Sequence, residues 1–374
     1  MKLFDVYPRY QIEPVRGMGS YIWDKNDTRY LDLYGGHAVI SIGHSHPEYV
    51  HQISQQLSQL AFYSNSVEMP IQDELAEKLG ELSGYPDYTL FLCNSGAEAN
   101  ENALKLASFH TGKKKVIVFD KGFHGRTSLA VEATDNASIQ ALINFTGNFV
   151  RIPLNDHEAF KKAMNETVAA VIVEGIQGVA GIYEPTNEFL KLIRSACDET
   201  GAILILDEIQ SGYGRSGKFF AHQHSGIEAD ITSMAKGMGN GFPIGGILIH
   251  PKFQAKSGLL GTTFGGSHLA CAAGIAVLDV LKKENLIANS EYVGDRIISK
   301  VKSLKGVADV RGKGLMIGID LEMDAKDVRS KLLFDHQIFT GSASNPKTLR
   351  ILPPLCLTAE EADLFVDTLA KIIS

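Results

Sequence analysis

The chain has 374 residues, 44% hydrophobic and 21% charged, an ordinary globular composition that is too long for one compact core of the commonest size, so two domains are expected. With 36 basic against 43 acidic residues and a net charge of −7, the balance speaks against general nucleic-acid binding. No apolar run approaches the ~18 residues that span a membrane, Met1 to Arg9 lack the apolar core of a signal peptide, and the scattered Cys93, Cys197, Cys271 and Cys356 suit free thiols in a reducing cytoplasm.

Two β-prone runs flank Asn26-Asp27 and predict a hairpin. His37, His44 and His46 follow closely, but no carboxylate or cysteine can be placed with them as a metal ligand, and no metal is expected. Residues 70–83, with Pro70 first and acids in the opening turn, predict an amphipathic helix. Thr89–Cys93 then reads as a strand, Asn94-Ser95-Gly96-Ala97 as a tight turn, and the stretch from Glu98 as a helix. The free N–H groups of Gly96 and Ala97 at that helix start make an anion site, to which Ser95 can add a hydroxyl.

The strand Val116–Phe119 leads directly into Gly122-Phe123-His124-Gly125-Arg126. Residues 169–174 form an apolar strand that ends on Glu174, with Gln177 just beyond. A helix from Glu188 to Thr200 returns the chain to a second apolar strand, 202–207, which stops on Asp207-Glu208. Ligands of open α/β sheets sit at the carboxyl ends of such strands, where Asp207 stands. A further short apolar segment ends on Lys236, ahead of the glycine-rich Gly237–Gly241. A lysine there is costly to bury without a task. One task fits both residues: the lysine amine forms a Schiff base with pyridoxal phosphate while the aspartate keeps the pyridinium nitrogen protonated. A strand over 244–249, the segment Gly261–His268, helices near 268–283 and 285–304, a strand over Gly312–Asp320 and Leu349-Arg350-Ile351 complete the chain. The alternation of strands and helices over 89–250 predicts an α/β fold with a mostly parallel sheet covered on both faces.

The run from Asp207 to Lys218 and the later Met234-Ala235-Lys236-Gly237 resemble the signature of the class III pyridoxal-phosphate aminotransferases, and the resemblance extends over nearly the whole chain. It implies the pyridoxal-phosphate fold-type I, with a large domain carrying a mostly parallel sheet and a smaller α+β domain. The implied division is an N-terminal arm over 1–45, a cofactor-binding domain over 46–270 and a C-terminal small domain over 271–374. Pyridoxal 5'-phosphate is the implied cofactor, with Lys236 and Asp207 as its catalytic pair. Ser95, Gly96 and Ala97 are assigned to its phosphate, Phe123 to its ring face and Gln210 to its ring hydroxyl. Thr263 is assigned to the phosphate of the partner subunit, in a homodimer with shared active sites. Arg126, Glu174, Thr262 and Arg350 are the implied substrate residues, Glu174 acting as a gate. His37 is less usual at its position and a candidate for the pocket wall, and Ser267 stands where the family usually has asparagine.

Within the class the chain is most similar to members acting on N-acetylornithine. That implies transfer of the side-chain amino group of N-acetylornithine, or a close N-acylornithine, to 2-oxoglutarate in arginine biosynthesis, in the cytoplasm. N-succinylornithine, ornithine and γ-aminobutyrate are alternative donors. A glutamate-semialdehyde aminomutase would use the same lysine without an external acceptor.

Overall fold

The computed structural model describes residues 1–374. The chain opens with an antiparallel meander, β1 (Pro14–Met18), β2 (Tyr21–Asp24) and β3 (Arg29–Asp32), in which β2 and β3 form the expected hairpin across Asp27. Seven strands build the central sheet: β4 (Thr89–Cys93), β5 (Lys115–Phe119), β6 (Phe149–Ile152), β7 (Val168–Glu174), β8 (Ile203–Asp207), β9 (Ile231–Met234) and β10 (Gly245–Ile249). Their order is β4-β10-β9-β8-β7-β5-β6, and β10 alone runs against its neighbours.

Every residue of β7 and β8 is buried, because helices cover both faces and the alternating side chains enter different cores. Leu204 and Leu206 pack with Phe119, Phe160 and Phe189 on one face. Ile203 and Ile205 pack on the other, against Ala99, Ala103 and Ala107 of the helix Gly96–Thr111. The helix expected over 70–83 is Pro70–Ser83, closed by Gly84 in the left-handed conformation. No helix is long and apolar enough to cross a membrane.

The C-terminal third adds β11 (Val307–Lys313), β12 (Met316–Leu321), β13 (Ile338–Phe339), β14 (Gly341–Ser342) and β15 (Thr348–Ile351). Of these, β11-β12-β15-β14 form an antiparallel sheet, while β13 pairs in parallel with β3 in the N-terminal sheet. The single strand expected over Gly312–Asp320 is instead a hairpin that turns at Gly314. There the backbone has φ +53° and lies so close to the Ser216–Gly217 peptide that a Cβ would stand 2.6 Å from it. The largest core cluster joins the chain's two ends, from Leu31 and Leu33 to Phe365 and Ile373.

Strand register decides what meets at the sheet's carboxyl edge. Glu174 sits opposite Asp207, and Asp207 opposite Ser233. The antiparallel β10 brings Gly245 beside the turn that follows β4, where a Cβ would lie 2.7 Å from the Ser95 carbonyl oxygen. Gly245→Ala is therefore expected to lose about 1–3 kcal/mol of stability by overpacking rigid backbone. Chemical denaturation measures the loss, and a stability equal to the parent chain's would show that the contact yields freely.

Candidate active site

The carboxyl edge of the sheet opens into a cavity of about 320 Å³, lined among others by Ser95, Gly96, Ala97, Phe123, Glu174, Asp207, Gln210 and Lys236. Eight residues singled out from the sequence thus meet on one wall, brought from five separate strand ends.

Asp207 ends β8 with 4% of its surface exposed. A buried carboxylate needs donors, and three hold this one. Asn100 Nδ2 and His124 Nδ1 each stand 2.8 Å from its Oδ2, and the Ile209 N–H donates to Oδ1 at 3.1 Å. Asn100 also donates to the His124 carbonyl at 2.7 Å and accepts from Ser233 Oγ at 2.7 Å. Asn100 and His124 had no role in the sequence reading. One signal was present: Asn100 lies four residues after Gly96, a polar side chain on the alanine face of its helix.

Lys236 follows β9 after one residue and takes φ +46°, opening the turn Lys236–Met238. Burial lowers its ammonium pKa most, Asp207 and Glu174 oppose that shift, and Arg350 adds to it. The neutral amine needed of a nucleophile or base is thereby made more available.

After β4, Ser95 caps the helix Gly96–Thr111, its Oγ accepting from the Glu98 N–H at 3.2 Å. The Ala99 N–H closes on the Ser95 carbonyl at 3.0 Å. The N–H groups of Gly96 and Ala97 are left for an anion. Gln210 donates to the His37 carbonyl at 3.1 Å, while its Oε1 is buried without a partner. An open helix start, a pinned carboxylate, an amine, the Phe123 ring and this orphaned amide oxygen are the donor set that pyridoxal phosphate requires. The residues fit the group.

Glu174 is buried and accepts from the Phe123 N–H at 2.9 Å and the Gly178 N–H at 3.1 Å. Burial pushes its carboxyl up to about 7; Asp207 adds to the rise, while His124 and the two N–H groups oppose it. Arg350, also buried, donates to the Gly178 carbonyl at 2.9 Å and to the Ser342 carbonyl. Burial lowers its pKa, with a further push from Arg329. Glu174 and Arg350 therefore hold the N–H and the carbonyl of the same residue, Gly178, and form no ion pair with each other.

Four expected residues, Arg350, Arg126, Thr262 and Thr263, do not line the cavity. Arg126 is exposed, as is Thr263. Arg126 follows Gly125, which packs on Ala97 where a Cβ would stand 2.9 Å from the alanine methyl, and the chain leaves the wall at that point. Thr262 accepts from Asn94 Nδ2 at 3.0 Å and so fastens its loop to the turn after β4. The three early histidines have different partners: His44 meets Asp32 at 2.8 Å, His46 meets Glu284 at 2.9 Å, and His37 meets the Tyr34 hydroxyl.

Residues 6–373 match the family described as aminotransferase class-III. The acetylornithine aminotransferase of Caldanaerobacter subterraneus subsp. tengcongensis is 40% identical, over 100% of this chain and 97% of its own. Among solved structures, the acetylornithine aminotransferase of Elizabethkingia anophelis aligns with a TM-score of 0.85 at 30% identity, covering 98% of this chain and 94% of that one. An ornithine aminotransferase of Toxoplasma gondii, described with partial occupancy of PLP at its active site, gives 0.92 at 28% identity, over 99% of this chain and 91% of that one.

The raised pKa of Glu174 makes a pH prediction. The folded state holds this proton up to about 7, whereas an unfolded glutamate releases it near 4.3. Between those values the folded state binds more protons, so this group's contribution to stability falls as pH rises through the window. Glu174→Gln is expected to remove that fall, on the order of 3 kcal/mol between pH 4.5 and 7.5. Denaturation at both pH values measures it; identical slopes for the two proteins would place the carboxyl's pKa in the ordinary range.

Proposed function

The chain belongs to the class-III aminotransferase family, and from that premise we propose that it moves the side-chain amino group of N-acetylornithine, or a close N-acylornithine, to 2-oxoglutarate in arginine biosynthesis. It is a transaminase that uses pyridoxal 5'-phosphate. The donor assignment rests on full-length likeness to acetylornithine aminotransferases, 40% identical in one case. The observation that carries the chemistry is the meeting of Asp207, Lys236 and the open Gly96–Ala97 helix start on one cavity wall.

When bound, the cofactor supplies an aldehyde that takes up the amino group and a ring that spreads the electrons left on the substrate's reacting carbon. Lys236 holds it through Nζ, and the same nitrogen, as the free amine, takes and returns the proton of that carbon. Asp207, held in place by Asn100, His124 and the Ile209 N–H, would stand as the counter-charge of the ring nitrogen. Gly96 and Ala97 donate to the phosphate with the Ser95 hydroxyl beside them, Phe123 covers the ring face, and Gln210 Oε1 meets the ring hydroxyl.

Arg350 receives the α-carboxylate of 2-oxoglutarate, for which its planar fork is suited. Glu174 gates that arginine: a shift of either side chain off the Gly178 backbone would let the two pair while the donor is bound. Arg126 takes the α-carboxylate of the donor, with Thr262 at the same mouth. We further place the protein in the cytoplasm, divided into an arm over 1–45, a large domain over 46–270 and a small domain over 271–374. We infer a homodimer with shared sites. What supports it is the exposed apolar set Leu57, Leu60, Phe62, Tyr63, Val67 and Phe264, together with the exposed Thr263 next to it.

Two tests follow from this reading. Lys236→Ala is expected to fold and to lose at least about a thousandfold in turnover, since one substitution removes both anchor and base. Single-turnover assays with N-acetylornithine and with 2-oxoglutarate read it; near-normal turnover would remove Lys236 from the chemistry. A mixed dimer of a Lys236→Ala subunit and a Thr263→Ala subunit should contain one repaired site and recover about half of the parent activity. Hybrids no more active than either variant alone would mean that each subunit completes its own site.

A further inference from the structure

Just outside the cavity, the molecule carries two arginines with no carboxylate to meet them. Arg350 uses Nε and Nη1 on the Ser342 and Gly178 carbonyls, leaving Nη2 without a partner in the chain. Arg329, on the helix Ala325–Phe334, touches only the Tyr10 hydroxyl at 3.1 Å and the Thr340 carbonyl at 3.4 Å. Its Nε is buried without a partner, and so is the Thr340 hydroxyl beside it.

The two guanidiniums belong to one surface. Gly341, next to Thr340, pairs with Arg350 across β14 and β15. It is packed so closely that a Cβ would stand 3.0 Å from the Tyr34 ring and 3.2 Å from Arg350 Cβ. Ser344, further along the same segment, donates to the carbonyl of Val179, a cavity-wall residue, at 3.2 Å. The charge of Arg329 reaches Arg350, where it adds to the larger effect of burial in lowering the pKa.

No carboxylate of the chain forms an ion pair with either one, and Glu174 acts on Arg350 only through space. Asp32, which acts on the adjoining Tyr34, has its oxygens engaged by the Tyr34 and Gly35 N–H groups and by His44. Glu174 has both of its oxygens on backbone donors. Like charges held near each other, partly desolvated and without a counter-ion, cost folding free energy that an arriving anion offsets. Guanidinium forks beside an unpaired hydroxyl select a carboxylate over a neutral group.

We propose that Arg329 is a carboxylate-binding residue of the substrate pocket, taking a substrate carboxylate that lies beyond the one held at Arg350. This rests on the aminotransferase reading above. Two substrates could present such a group: a donor whose acyl chain ends in a carboxylate, as in N-succinylornithine, or the distal end of a dicarboxylate acceptor. Tyr10, half exposed on the N-terminal arm and stacked edge-on to Phe334 at 5.9 Å, orients the guanidinium.

The test uses the holoenzyme and two specificity ratios in kcat/KM: N-succinylornithine over N-acetylornithine, and 2-oxoglutarate over 2-oxobutanoate. Arg329→Gln is expected to lower one ratio about fivefold or more, mainly through KM. The ratio that falls names the source of the carboxylate. Equilibrium binding of glutarate against butanoate should lose the same preference. Tyr10→Phe, a change on an exposed arm, should lower the same ratio at least about twofold, and it decides the matter if the arginine variant does not fold. Smaller changes in both ratios, or an equal loss on all four substrates, would overturn the proposal. A parent enzyme inactive on every substrate would instead overturn the aminotransferase reading.

Discussion

A carboxylate at the buried end of an apolar strand is the constraint on which this site depends. Asp207 is almost wholly withdrawn from solvent, and the protein surrounds it with fixed donors: an asparagine from the helix after β4, a histidine from the turn after β5, and the N–H of Ile209. Each comes from a different crossover of the sheet. The position of the charge is therefore set by the packing of three elements rather than by one loop. Such preorganisation lets an ionic partner bind without first rearranging the site. Asn100 takes part twice, through Asp207 and through Ser233 on the neighbouring strand. The carboxylate and the strand that delivers Lys236 are thus held by one side chain.

The sheet was legible in the sequence because its strands are apolar runs that stop on charged residues. Burial on both faces demands that pattern, and β7 and β8 obey it residue by residue. Helix limits were legible where chemistry marks them, as with Pro70 at the start of one helix. The Gly314 turn was not, since a glycine between apolar residues reads equally as strand, and only the approach of the Ser216–Gly217 backbone requires a fold there. The roles of Asn100 and His124 are relations across more than eighty residues of chain, which no local pattern encodes. Arg126 and Thr263 were chosen by likeness, and within one chain they stand off the cavity. Their assigned tasks need either a moving loop or a second copy, neither of which a sequence motif can express.

The wall opposite the sheet is held under local strain. Gly35, Gly36, His37 and Ala38 all take positive φ, between 55° and 69°. Glycine accepts such angles freely, but histidine and alanine do so at a cost. The strain is stabilised from both sides: the Leu352 N–H donates to the Leu33 carbonyl, and Gln210 donates to the His37 carbonyl. Strained backbone that persists because its surroundings over-determine it is commonly found at functional sites. Here it places a carbonyl on the amide assigned to the cofactor ring.

The parallel pairing of β13 with β3 has a consequence for how the molecule is made. Ile338 and Phe339 lie beside Leu31 and Asp32, and Ile373 packs in the cluster that contains Leu31. A ribosome releases the N-terminal hairpin some three hundred residues before its neighbours exist, at about 5–20 residues per second. For at least roughly fifteen seconds at that rate, the edge of β3 that pairs with β13 lacks its partner strand. The central sheet can form in that interval, since its strands lie between residues 89 and 249. That order would assemble the sheet that carries the site before the arm and the C-terminal strands close over it. Exposure of this kind favours binding by general chaperones during synthesis.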